Sequence, residues 1–225
     1  MNKPIYLDNQ STTPLDPKVL EAMLPYLKNK FGNASSIHHS YGRESKRAVE
    51  DARAMVAQSI CSDTRDIIFT SGATESINLA LKGLCQSYKG VGHIITQNTE
   101  HRAVLDTCQA LEREGWDISY LPVDNNGFIK PRSILNAIRK ETALVAIMHA
   151  NNEIGTIQSI GAIGDICKRK GITFFVDASQ SFGRLDIDVQ KMKIDILAAT
   201  AHKIYGPKGV GFLYVRQKSP KVTLK

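Results

Sequence analysis

The fold turns on residues 143–180, ALVAIMHANNEIGTIQSIGAIGDICKRKGITFFVDASQ. Two runs in it, ALVAIMH (143–149) and ITFFVD (172–177), are apolar almost throughout, and residues 159–170 between them repeat apolar side chains at helical spacing. A strand that is apolar on both faces needs cover on both, and two such strands joined by a helix describe a parallel crossover. The alternation continues outward in both directions. Strands are predicted at IIFT (67–70), HIIT (93–96), ISYLPV (118–123), DILAAT (195–200) and VGFLYV (210–215), with helices at 74–88, 101–113 and 131–140. The class is therefore α/β: a mainly parallel sheet with helices on both faces. Only GPKG (206–209) separates the last strand from the preceding segment, too little for a crossover, so that strand is expected to run antiparallel. Residues 17–30 and 41–60 read as amphipathic helices ahead of the sheet, with Pro25 expected to kink or end the first.

A chain of 225 residues that is 42% hydrophobic buries enough surface to hold a core without disulfides or metals. Its longest apolar run, Ala143 to Met148, is far short of the roughly 20 residues that cross a bilayer, so no membrane partner is expected. MNKPIYLDNQ at the start lacks an apolar leader core. Cys61, Cys85, Cys108 and Cys167 form no CxxC pair and no zinc-like spacing, which suits reduced thiols in a cytoplasmic setting and no metal. The +7 formal charge is local: residues 201–225 hold six bases and no acid, leaving +1 for the rest. A spread basic face with interleaved aromatics is absent, so nucleic acid is not expected as a partner.

Open α/β sheets bind ligands beyond the carboxyl ends of their strands. After IIFT, Ser71-Gly72-Ala73-Thr74-Glu75 opens a helix, where unpaired N–H groups and the helix dipole make an anion site, although an ordinary helix cap reads the same way. After HIIT comes His101, able to stack on a planar ligand or move protons. After ALVAIMH comes Asn151-Asn152-Glu153-Ile154-Gly155, either a plain turn or an inward amide. Asp177-Ala178-Ser179-Gln180 ends the next strand with an acid that needs a cationic partner, and Thr200-Ala201-His202-Lys203 ends the sixth with an amine suited to nucleophilic use once desolvated. Each signal alone is weak. Together, a phosphate cradle, a stacking ring, an amide, an acid for a ring nitrogen and an amine for a Schiff base describe pyridoxal phosphate chemistry. The GxGxxG and GxxxxGK[ST] strings of nucleotide sites do not occur.

Seven strings, YLDNQSTTPLDP (6–17), FGNASS (31–36), FTSGATES (69–76), TEHRAVLDTC (99–108), NNEIG (151–155), VDASQSFG (176–183) and AHKIYGPKGVG (201–211), resemble the NifS/IscS-type cysteine desulfurases of the class V aminotransferase group, over essentially the whole chain. The resemblance implies a pyridoxal-phosphate-dependent transferase of fold type I. It implies Lys203 as the Schiff-base lysine, His101 as the stacking ring and Asp177 as the partner of the pyridine nitrogen. Gln180 falls near the phenolic oxygen, Ala73, Thr74, Thr200 and His202 at the phosphate, and Asn152 on the cofactor and substrate side. Two departures stand out: Thr200-Ala201 where the family has Ser-Gly, and Ala34 where it has Pro.

What the resemblance implies of function is conversion of L-cysteine to L-alanine with persulfide sulfur left on an enzyme cysteine, in a homodimer that serves an iron–sulfur scaffold protein or another sulfur acceptor such as thiolated tRNA. The family continues into a smaller domain carrying the nucleophilic cysteine and a carboxylate-binding arginine. The expected organisation is therefore an N-terminal segment (1–16), a cofactor-binding large domain (17–216) and a basic tail (217–225), inactive in desulfuration alone. The four cysteines present are expected to be packing residues. Two alternatives stay open: an inactive or split-gene piece that acts only with a partner chain, and a related lyase or aminotransferase using the same cofactor.

Overall fold

The computed structural model describes residues 4–225. Six helices, α1 (Pro17–Lys28), α2 (Ser40–Ser59), α3 (Ala73–Ser87), α4 (Arg102–Arg113), α5 (Pro131–Ala137) and α6 (Ile160–Lys170), accompany seven strands. The strands are β1 (Ile67–Thr70), β2 (His93–Gln97), β3 (Asp117–Leu121), β4 (Thr142–Met148), β5 (Thr173–Asp177), β6 (Ile196–Thr200) and β7 (Gly211–Val215). They form one sheet in the order β1-β7-β6-β5-β4-β2-β3. Strands β6, β5, β4, β2 and β3 pair in parallel, and β7 runs antiparallel to both neighbours, as its short connection requires.

Alternation along the buried strands divides the core in two. Ile95, Val145, Ile147, Phe174, Val176 and Leu197 face one way, against α5, α6 and the end of α2. Ile94, Leu144, Ala146, Phe175, Ile196 and Ala198 face the other, against α3 and α4. Both faces are covered, which is why these strands carry no polar stripe. The edge strand β3 is only half-buried and ends at Leu121 rather than Val123.

Two helix boundaries depart from expectation. Helix α1 passes through Pro25 to Lys28 without ending there; the exposed helix tolerates the missing N–H, and Asn29 and Lys30 both donate to the Pro25 carbonyl. Helix α5 stops at Ala137, three residues early, with Ile138 already extended. Helix α6 ends at Lys170 as expected, capped by Gly171, whose φ of 68° lies in the left-handed region that favours glycine.

All parallel strands point the same way, so Thr70, Gln97, Met148, Asp177 and Thr200 share one end of the sheet. Gly211 sits between Thr70 and Thr200 in register. A Cβ there would lie 2.7 Å from both the Ala199 carbonyl oxygen and Gly72 Cα, so only glycine lets the turn before α3 close onto this end.

Candidate active site

A cavity of about 650 Å³ opens at that end of the sheet. Every site residue expected from the sequence lines it: Ala73, Thr74, His101, Asn152, Asp177, Gln180, Thr200, His202 and Lys203. They come from five separate strand ends, brought to one place because parallel strands deliver their carboxyl ends to one side.

Asp177 closes β5 and is 4% exposed. Its Oδ1 accepts the Ser179 N–H at 2.9 Å and the Ser179 hydroxyl at 2.6 Å, so the turn residue fixes the carboxylate. The Lys203 amine lies in the short turn Ala201–Lys203 after β6. Burial lowers its pKa from the ordinary lysine value of 10.5; the Asp177 carboxylate opposes that shift and the Arg184 guanidinium reinforces it. Arg184 Nη2 also donates to the Lys203 carbonyl at 2.8 Å. Burial likewise holds the His202 imidazole below its ordinary range, helped by the nearby Lys203 and Lys208 charges.

Gly72 caps α3 with no side-chain hydrogen bond, so the first turn of that helix faces the cavity without an internal cap. Glu75 bears on this anion site: its Oε2 accepts the Ser71 N–H and hydroxyl, both at 2.6 Å, which keeps its pKa low and takes up one of the turn's donors. The Thr200 hydroxyl donates to the Val210 carbonyl at 3.3 Å. His101 caps α4, its Nδ1 accepting the Ala103 N–H at 3.1 Å. Asn152 reaches the cavity wall and donates to Glu153.

Several contributors were not legible. Residues 10–13 lace across the lysine turn: Gln180 Nε2 donates to the Gln10 carbonyl at 2.8 Å, the Thr13 N–H to the His202 carbonyl at 2.8 Å, and the Tyr205 N–H to Thr13 Oγ1 at 2.8 Å. The string QSTT belongs to the first matching motif, but nothing in its spacing points 190 residues ahead. Asn151 is the buried amide of its pair and organises the turn after β4, its Oδ1 accepting the Glu153 and Ile154 N–H groups.

Three cysteines are packing residues as expected: burial pushes the Cys85, Cys108 and Cys167 thiols up to about 12. Cys61 corrects the expectation, being exposed in a left-handed turn with φ 57° just past α2. Among the described residues no cysteine and no arginine lines the cavity.

The aminotransferase class-V family matches residues 5–223. The cysteine desulfurases IscS of Shewanella denitrificans and of Rickettsia massiliae are each 54% identical, over 100% and 97% of this chain and over 56% and 53% of their own lengths. The chain thus spans about half the length of the curated relatives it matches. Among solved structures, SspA in complex with cysteine superposes with a TM-score of 0.93 at 43% identity, covering 96% of this chain and 63% of that one. A NifS-like protein follows at 0.92 and 40%, covering 96% and 60%. Sequence likeness and superposition agree along the chain, which belongs to the aminotransferase class-V family and is similar throughout to its cysteine desulfurases.

Proposed function

We propose that the cavity binds pyridoxal 5'-phosphate and that residues 17–216 are the cofactor-binding large domain of a cysteine desulfurase. The observation that carries this reading is the convergence of Lys203, Asp177 and His101 with the uncapped start of α3 in one cavity. The donor set suits the cofactor at each end. The first turn of α3, Thr74 and His202 offer donors to a phosphate, and Thr200 lines the cavity beside them with its hydroxyl on the Val210 carbonyl. Asp177 keeps one carboxylate oxygen free of protein partners among the described residues, as a pyridinium N–H requires, and the Lys203 amine is desolvated, as reaction with an aldehyde requires. His101 and Gln180 both line the cavity, the first to stack on the ring and the second to serve the phenolic oxygen.

Bound there, the cofactor supplies an electron sink for the Cα of an amino acid. Asp177 holds the proton on the ring nitrogen, Lys203 takes and returns the Cα proton, and Asn152 orients the substrate side. The overall reaction is L-cysteine plus an enzyme thiol giving L-alanine plus an enzyme persulfide. In this reading the thiol and the carboxylate-binding arginine come from outside residues 4–225. SspA, solved with cysteine, supports the substrate class. The family resemblance, to which the IscS relatives add, is the basis for delivery to an iron–sulfur scaffold or similar acceptor. Leu27, Phe31 and Met55, each about 70% exposed, support a covered apolar face and a homodimer. No helix among the described residues is long and apolar enough to cross a membrane, and we place the protein in the cytoplasm.

The test is borohydride reduction of the chain after incubation with pyridoxal 5'-phosphate, followed by peptide mapping. The pyridoxyl group is expected on Lys203 and absent from K203A. A label spread over exposed lysines, or none, sinks the reading.

A further inference from the structure

We propose that Glu100 is a positioning residue that sets the His101 ring at the cavity by tying the turn after β2 to the end of β4. Glu100 directly precedes His101 and is 6% exposed. Its Oε1 accepts the Met148 N–H at 2.6 Å, while Oε2 is buried without a partner. Met148 is the last residue of β4; it pairs in register with Asp177 and itself lines the cavity. The next N–H, of His149, donates to the Asp177 carbonyl at 2.9 Å. One carboxyl group thus fixes the His101 turn to the strand pair that presents Asp177. A second tie runs parallel to it: Asn151 Nδ2 donates to the Thr99 carbonyl at 3.0 Å. His101 itself makes one side-chain hydrogen bond, to Ala103 within its own turn, so these ties decide where its ring stands.

No cation pairs with Glu100 among the described residues, and an unpaired carboxylate is not stable in such a place. Burial accordingly pushes its pKa well above the carboxylate range. The neutral acid still accepts from Met148 and avoids a buried charge beside Asp177.

His101 as the stacking ring rests on the cofactor reading, so the experiment has one arm that needs no cofactor. In the apo chain, the ring signals of His101 are assigned in NMR spectra by their loss in H101A. E100D withdraws the carboxyl by one methylene and is expected to shift those signals, with the His93 and His202 ring signals unmoved. E100Q, neutral and of equal length, is expected to leave all of them in place. In the second arm, the chain loaded with pyridoxal 5'-phosphate is expected to lose cofactor-induced circular dichroism in E100D and to hold the cofactor about 10-fold less tightly, as one lost buried hydrogen bond implies. E100Q should stay within about twofold of wild type. Unmoved His101 signals in E100D, equal movement at all three histidines, or an E100Q that behaves like E100D would each overturn the proposal. If the wild-type chain takes up no cofactor, the cofactor reading fails, and the apo signals still decide the role of Glu100.

Discussion

Lys203 concentrates the electrostatics of the site in one atom. Desolvation disfavours its ammonium, Asp177 and Glu153 favour it, and Arg184 disfavours it. The order of these causes makes a prediction that needs no cofactor. In competitive acetylation of the apo chain across pH, Lys203 is expected to become reactive below the pH at which ordinary lysines do. Asp177→Asn removes the charge that favours the ammonium, so the curve moves lower still, whereas Arg184→Ala moves it up. Mass spectrometry of peptides reads each lysine separately. A Lys203 curve that coincides with those of exposed lysines in wild type and both variants would remove the basis for its assignment as the reactive amine.

Three strands meet at one side chain on the far side of the sheet. His93 of β2 bonds Thr142 Oγ1 of β4 through Nδ1 at 2.9 Å and Ser119 Oγ of β3 through Nε2 at 2.8 Å. Removing the ring takes a partner from each of two hydroxyls, Thr142 keeping only the Arg139 N–H, and opens a cavity, so His93→Ala is expected to cost about 2–4 kcal/mol in urea denaturation. Burial holds this imidazole below its ordinary value of 6.5, with Arg139 adding to the effect. The sign of the pH dependence follows: below about 6.5 the unfolded chain binds a proton that the folded chain refuses, so this contribution to stability is lost as pH falls. His149 acts in the same direction. Glu100 and Asp195, raised by burial, act in the other, because there the folded state binds the proton first. Comparing wild type and His93→Ala between pH 8 and pH 5 isolates the His93 contribution; the variant should lose less stability over that range. Equal slopes would show that the ring is protonated as readily folded as unfolded.

At the scale of the whole molecule, what matters is the distance between the thiols and the cavity. Cys85, Cys108 and Cys167 are locked into helices on the two faces of the sheet, and Cys61 borders a different hollow, beside Phe182 and Arg184. Desulfuration needs a thiolate within about 3–3.5 Å of the sulfur it attacks. Residues 1–225 by themselves are therefore expected to release no sulfide from L-cysteine above the level of free pyridoxal 5'-phosphate, while slow exchange of the Cα proton persists and depends on Lys203. Sulfide production that disappears on changing one of the four cysteines would overturn this placement of the thiols.

Sequence by itself determined the α/β class, the antiparallel last strand and the residues at each strand end, because buried strands leave a local record: unbroken apolar runs, helical periods between them and polar residues where the runs stop. Lys203, Asp177 and His101 were legible for that reason. What joins those ends laterally left no such record. In Asn151-Asn152 the two amides are chemically identical, and only the course of the turn makes one a buried brace and the other a cavity wall. Glu100 reads as an ordinary surface acid until the end of β4 is seen to enclose it, and Gln10 and Thr13 meet Gln180 and His202 only after the sheet has formed. Hydrogen bonds across 48 and 189 residues depend on strand order and register, which the whole core sets at once.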